Sequence, residues 1–158
     1  MPTPKFLIHV HREPGLKVPF SISLVRKAAQ VALREQGIHE PCALTVYLTD
    51  DSHIQEFNRQ YLGIDSPTDV LSFPAAEHDP EQGRLYLGDI LLSIPRAQEQ
   101  SQKAGHALEA EIQLLIVHGV LHLLGHDHAE VEEKQRMWQA QAAILEQLGW
   151  DPSIVRET

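Results

Sequence analysis

The chain has a single cysteine, Cys42, among 158 residues. No disulfide can form within it, and a thiolate cluster for a metal is excluded, so any metal must rely on nitrogen and oxygen donors. Basic side chains are scarce as well. Thirteen Lys and Arg stand against 22 Asp and Glu, a formal net charge of -9, which excludes a protein that coats nucleic acid through a broad basic surface. The deficit is uneven: residues 1–50 carry six basic and four acidic side chains, 51–100 three and nine, and 101–158 four and nine. Any polyanion surface would have to draw on Lys17, Arg26, Lys27 and Arg34, for which a solvated helix face is an equal reading. The longest apolar run, Leu114 to Leu124, is too short to span a bilayer and is broken by His118 and His122. No membrane role follows. The opening Met1-Pro2-Thr3-Pro4-Lys5 has no basic segment leading into an apolar run, so no leader is visible and a cytoplasmic location is expected.

What is present is an ordinary globular balance, 42% hydrophobic and 22% charged, which predicts one domain over residues 1–158. Phe6 to Val10, Ala43 to Thr49, Asp69 to Phe73 and Leu85 to Leu92 read as strands. The segment from Pro74 to Arg84 reads as loop. Apolar positions recur at helical spacing from Phe20 to Gln36, with Gly37 placed to end the helix. A short helix follows Asp51 or Ser52 as its cap, running through Phe57 and Tyr61. Ser93 can cap a helix starting at Pro95; further helices are expected from Leu108 to Leu124 and from Glu130 to Leu148. Strands come mostly early and helices mostly late. The predicted class is α+β: a small sheet of about four strands covered by helices.

The helix from Leu108 is apolar nearly all round and therefore buried. At its end stand His118-Gly119-Val120-Leu121-His122-Leu123-Leu124-Gly125-His126-Asp127-His128. Histidines four apart share one helix face, so His118 and His122 can converge on one ion. Gly125 can adopt the left-handed conformation that ends a helix and turns the chain back, bringing His128 to the same place. Two unpaired imidazoles in an apolar helix would be costly, which favours a metal at the end of this buried helix. Three imidazoles and one open position form the usual catalytic zinc sphere. One Zn2+ per chain is the expectation, although nickel, copper or iron also accept three imidazoles. His126 is the alternative to His128 as third ligand. The metallopeptidase motif H-E-x-x-H needs a glutamate where this chain has Gly119, yet His122 to His128 matches the H-x-x-G-x-x-H extension of metzincins. A peptidase is the runner-up reading.

The run from His118 to His128 resembles the hallmark H-G-x-L-H-L-x-G-[Tyr]-D-H of the YbeY-type bacterial endoribonucleases, with His126 where tyrosine is usual. Pro67-Thr68-Asp69-Val70-Leu71-Ser72-Phe73-Pro74 is similar to that family's P-T-[DN]-V-L-S-F-P segment, and Leu87-Gly88-Asp89-Ile90 to its L-G-D-[IV] strand. The resemblance implies metal-dependent, single-strand-type cleavage of RNA phosphodiesters in rRNA maturation and ribosome quality control. RNA in the form of rRNA precursors, and the ribosome or ribosomal proteins, are the implied partners; DNA is not expected. With so few cations, RNA affinity should be weak and salt-sensitive. An arginine that follows the tyrosine of the family's N-x-x-Y segment is replaced here by Leu62. Arg59, one turn earlier, is the candidate substitute on i,i+3 proximity. Asp89 and Asp127 are the remaining catalytic candidates, each equally suited to orienting a histidine ring. A third reading is a ribosome-associated factor whose metal is structural; it would require a fourth protein ligand such as His126 or Asp127.

Overall fold

β-Branched and aromatic residues gather in Phe6–Arg12 and Cys42–Thr49, which form strands β1 and β2. Between them Ile22–Glu35 forms helix α1. The Ser21 side chain accepts from the Ser23 amide to cap its start, and Gly37, at φ 75°, follows its last turn. The chain continues through α2 (Asp51–Leu62), β3 (Val70–Asp79), β4 (Arg84–Ser93), α3 (Ile94–Ala104), α4 (Leu108–Leu123) and α5 (Val131–Gln147). This is a computed structural model, and it describes residues 5–79 and 83–155. The strands form one sheet in the order β1-β2-β4-β3, with β1, β2 and β4 parallel and β3 antiparallel to β4 at the edge. The class is α+β, as the element order predicts. No helix among the described residues is long and apolar enough to cross a membrane.

The sheet has two unlike faces. Leu44, Val46 and Leu48 of β2 and Ile90 and Leu92 of β4 are sealed into the main core with α1, α3, α4 and α5. From α4 that core takes Ile112, Ile116, Val117, Val120 and Leu121. Each such side chain stabilises by roughly 1.5–3 kcal/mol on burial. Packing therefore holds α4, whose N-cap Ala107 makes no side-chain hydrogen bond. By the strand period of two, Thr45, Tyr47 and Thr49 point to the opposite face. There Ile54 of α2 forms a small cluster with Leu71, Leu91 and Phe73 of β3 and β4, and Tyr47 is left 41% exposed.

Two expectations need correction. The segment after Phe73 is not loop: β3 runs on through Pro74 to Asp79 and pairs with β4 back to Arg84. Proline lacks a ladder donor, but at an edge strand that costs little. The cap of α2 is neither Asp51 nor Ser52. Asp50 takes that place, its Oδ1 accepting from the His53 amide at 3.0 Å, while Asp51 accepts from Ser93 Oγ at 2.7 Å and from both Nε and Nη2 of Arg96 at 3.1 and 3.0 Å.

β4 also carries a bulge. Ala43 pairs with Tyr86 and Thr45 with Asp89, so one residue of β2 faces two of β4. Gly88 sits there at φ 139°, and a Cβ on it would lie 2.2 Å from the Phe73 carbonyl oxygen. The extra residue resets the alternation. Leu87 and Ile90 both enter the main core, and Tyr86 and Asp89 meet on the other face, where the Tyr86 hydroxyl donates to Asp89 Oδ1.

Candidate metal centre

His118 and His122 project from successive turns of α4, as the four-residue spacing requires, and their Nε2 atoms lie 3.1 Å apart. The helix closes in a Schellman motif: Gly125 N donates to His122 O at 3.1 Å and His126 N to Leu121 O at 2.9 Å, with Gly125 at φ 99°. That turn folds the chain back so that the His128 ring comes within 5.9 Å of His118 and 5.2 Å of His122, centroid to centroid. The ligand-capable atoms of the three residues all lie within 4.8 Å of one another, and His118, His122 and His128 grade from buried through half-buried to exposed.

The protonation pattern suits a cation. His118 Nδ1 is 2.7 Å from Gln141 Oε1 of α5. A carbonyl oxygen only accepts, so Nδ1 carries the hydrogen and Nε2 presents its lone pair. Burial holds His118 below the usual histidine pKa, and burial with the neighbouring His118 and His128 pushes His122 down to about 4. These rings are therefore neutral at pH 7. The 3.1 Å between the two Nε2 atoms is close to the edge of a tetrahedron built on Zn–N distances of about 2.0–2.1 Å, which is about 3.3 Å. Three imidazoles brought this close together, the two on the helix neutral, fit a borderline divalent ion such as zinc.

The other expected site residues are placed differently. His126 Nε2 lies 2.7 Å from Gln36 Oε1 at the end of α1, and so ties the motif to a neighbouring helix. Asp127 Oδ1 accepts from the His128 amide at 2.7 Å, bracing the turn that presents that histidine. Asp89 is on the sheet face away from α4, engaged with Tyr86, whose hydroxyl burial and this carboxylate push up to about 12. The ring-orienting role considered for Asp89 falls instead to Gln141, at least for His118. Arg59 stands on the exposed side of α2 in a close ion pair with Glu56. Ser72 Oγ donates to the Gly119 carbonyl at 3.3 Å, fastening the edge strand β3 to the helix that carries His118 and His122. Arg26, one of the cations considered for a polyanion surface, donates from Nε to the Ile8 carbonyl at 3.1 Å.

Gln141 is the functional residue that sequence reasoning missed. Its signal was a lone amide among Met137, Ile144 and Leu145 on the apolar side of α5, all buried. Met137 is in the core, whereas its neighbour Trp138 is 37% exposed. The glutamate position of the peptidase motif is also informative. Gly119 lies against Ile90, and a Cβ there would stand 3.0 Å from both Cδ1 and Cγ2 of that side chain.

Comparison with known proteins adds to this geometry. The family model described as Endoribonuclease YbeY matches residues 13–149. Endoribonuclease YbeY of Acetivibrio thermocellus is 40% identical over 139 residues, covering 80% of this chain and 86% of that protein. Its counterpart from Nocardia farcinica is 40% identical over 154 residues, 93% of this chain and 82% of that protein. The one from Oceanobacillus iheyensis is 38% identical over 149 residues, with coverage of 90% and 97%. Among solved structures, the solution structure of TM1509 from Thermotoga maritima is similar with a TM-score of 0.62 and 29% identity, covering 90% of this chain and 89% of that one.

Proposed function

The chain belongs to the YbeY endoribonuclease family, and from that premise we propose that it is, as a single domain, a metal-dependent endoribonuclease cleaving phosphodiesters of single-stranded rRNA precursors during ribosome maturation and quality control. The observation that carries this reading is the convergence of His118, His122 and His128 within 4.8 Å in a chain whose relatives bear the endoribonuclease name. Zinc is the proposed ion, one per chain. The ribosome or its proteins are the proposed recruiting partners, in the cytoplasm, because the net charge of -9 leaves few cations for unaided RNA binding.

His118, His122 and His128 would hold the divalent ion, and as uncharged ligands they would leave it its full charge for polarising a phosphoryl oxygen and acidifying water when bound. The chain's own residues prepare that place. Gln141 fixes the His118 tautomer and Asp127 the His128 turn; neither side chain moves a proton in this scheme. Arg59 is the proposed guanidinium for a phosphate contact. Its pairing with Glu56 is at the surface, where exchange of partners costs little. Asp89, across the sheet, takes no part in proton transfer at the histidines.

The peptidase reading is weakened because the general-base position is Gly119. The structural-metal reading needs a fourth protein ligand, but among the described residues the grouping that can share an ion is those three histidines, with His126 held by Gln36. The test is cleavage of structured rRNA and of a generic peptide by metal-quantified protein beside His122→Ala and Arg59→Ala. RNA cleavage that depends on one bound metal and vanishes in His122→Ala is expected, with a clear loss in Arg59→Ala. A metal-loaded protein inert on RNA would refute the nuclease assignment, and full activity in Arg59→Ala would refute the arginine's role.

A further inference from the structure

The half of the sheet that α2 leaves uncovered forms a trough of about 710 Å³, on the opposite side of the sheet from the histidines and unused by the reading above. Its walls are aromatic. On one side His11 and Tyr47 stack at 5.5 Å, their planes 25° apart. On the other Phe57 and Tyr61 stack at 5.7 Å and 17°, with Phe73 set edge-on to Tyr61 at 5.9 Å. Phe57, Tyr61 and Tyr47 are 38%, 60% and 41% exposed. Rings paired in this way on an open sheet offer flat faces to another planar group, the arrangement by which open sheets hold unstacked bases.

Arg12, Glu13, His53, Thr49 and Asp89 line the trough among these rings, and Asp89 narrows the choice of planar group. Asp89 presents a carboxylate whose Oδ1 is held by the Tyr86 hydroxyl; Tyr86 in turn has Thr45 Oγ1 at 2.7 Å. The carboxylate is thus fixed in orientation and remains an acceptor toward the trough. Thr49 also lines it, is 5% exposed, and its Oγ1 has no hydrogen-bond partner. Guanine suits this set. Its N1–H and N2–H groups donate side by side to a carboxylate, whereas adenine and cytosine offer an amino group next to an acceptor and uracil a single N–H between two carbonyls.

We propose that this trough, lined by His11, Tyr47, Thr49, Phe57, Phe73 and Asp89, binds an unpaired guanine of an RNA strand. The RNA half of this assignment rests on the endoribonuclease reading; the base half does not. Phe73 borders the trough while its neighbour Ser72 touches Gly119. The edge strand β3 therefore lies between the two sites, and a strand anchored by its guanine can pass over that edge toward the histidines.

The experiment is calorimetric titration of the metal-loaded full-length protein with GMP and AMP, and with the oligonucleotides UUGU and UUAU. Guanine should bind roughly tenfold or more tightly than adenine in both forms, as discrimination by paired hydrogen bonds provides. Tyr47→Ala should weaken GMP by roughly tenfold through lost stacking, while Tyr47→Phe retains it. Asp89→Asn, which keeps an acceptor for Tyr86, should abolish the preference for guanine. Equal affinity for the two bases, or a Tyr47→Ala protein that is folded by circular dichroism and binds GMP normally, overturns the proposal. Guanine taken only as the mononucleotide overturns the RNA strand as its source. His122→Ala separates the two readings, since it should lose cleavage and keep GMP binding. A protein that cleaves RNA but ignores GMP refutes the trough alone, and one that binds GMP but never cleaves refutes the nuclease alone.

Discussion

Replacing Gln141 with leucine removes the acceptor that fixes the His118 ring and leaves its volume nearly unchanged. Two costs follow from the 2.7 Å contact between Gln141 Oε1 and His118 Nδ1. In the metal-free protein a buried N–H loses its partner, which destabilises folding by about 1–3 kcal/mol. In the metal complex the ring no longer has its Nε2 lone pair preset, and loss of such a supporting contact lowers metal affinity by about 10–100-fold. Glutamate at the same position accepts the same hydrogen bond with a negative charge and should hold zinc at least as tightly as the natural glutamine. The assay is competition for zinc against a chromophoric chelator at pH 7.5, with thermal unfolding of the metal-free proteins run in parallel. Expected are weaker zinc binding and a lower Tm for Gln141→Leu, with zinc affinity recovered in Gln141→Glu. Unchanged zinc affinity in Gln141→Leu would show that helix α4 alone orients His118, and the argument for Gln141 would fail.

Acid should destabilise the metal-free protein through His122. Its folded pKa is depressed to about 4 from an ordinary 6.5, so the unfolded chain binds the extra proton first. Stability is then complete above about pH 6.5 and declines as pH falls toward 4; a Tm profile across that window should flatten in His122→Ala, and an identical slope would count against the assignment. Gly88→Ala should cost about 3 kcal/mol or more, combining a left-handed φ with overlap on a backbone oxygen. Urea unfolding with an unchanged midpoint would contradict the bulge geometry. His128→Ala should abolish tight zinc binding, whereas His126→Ala should retain it and lose only the tie to Gln36. Metal content by elemental analysis after dialysis decides between the two, and zinc lost from His126→Ala but kept by His128→Ala would reverse the ligand assignment.

The histidine cluster was legible because its geometry is local: a helix repeat fixes His118 against His122, and one glycine fixes the turn to His128. The helices α1, α3 and α4 were legible for similar reasons, through caps and apolar period. The continuation of β3 was hidden by Pro74, a residue that stops an interior strand and is tolerated at an edge; whether a strand is at an edge depends on sheet order, which local pattern does not encode. Gln141 lies 23 residues from the ring it orients, a contact set by how α5 packs on α4. Asp89 was a candidate through the Leu87-Gly88-Asp89-Ile90 strand, but a single bulge, which local pattern does not encode, sends its side chain to the far face.

The close seating of Gly119 on Ile90 bears on how this scaffold can change its chemistry. Written as a sequence, the step from this motif to H-E-x-x-H is one substitution, and the histidine spacing already matches. In three dimensions that substitution places a Cβ 3.0 Å from Cδ1 and Cγ2 of Ile90, so a packed isoleucine of the central sheet has to shift to admit it. The two motifs are one residue apart in sequence, and the central sheet sets the packing adjustment that a conversion between them requires.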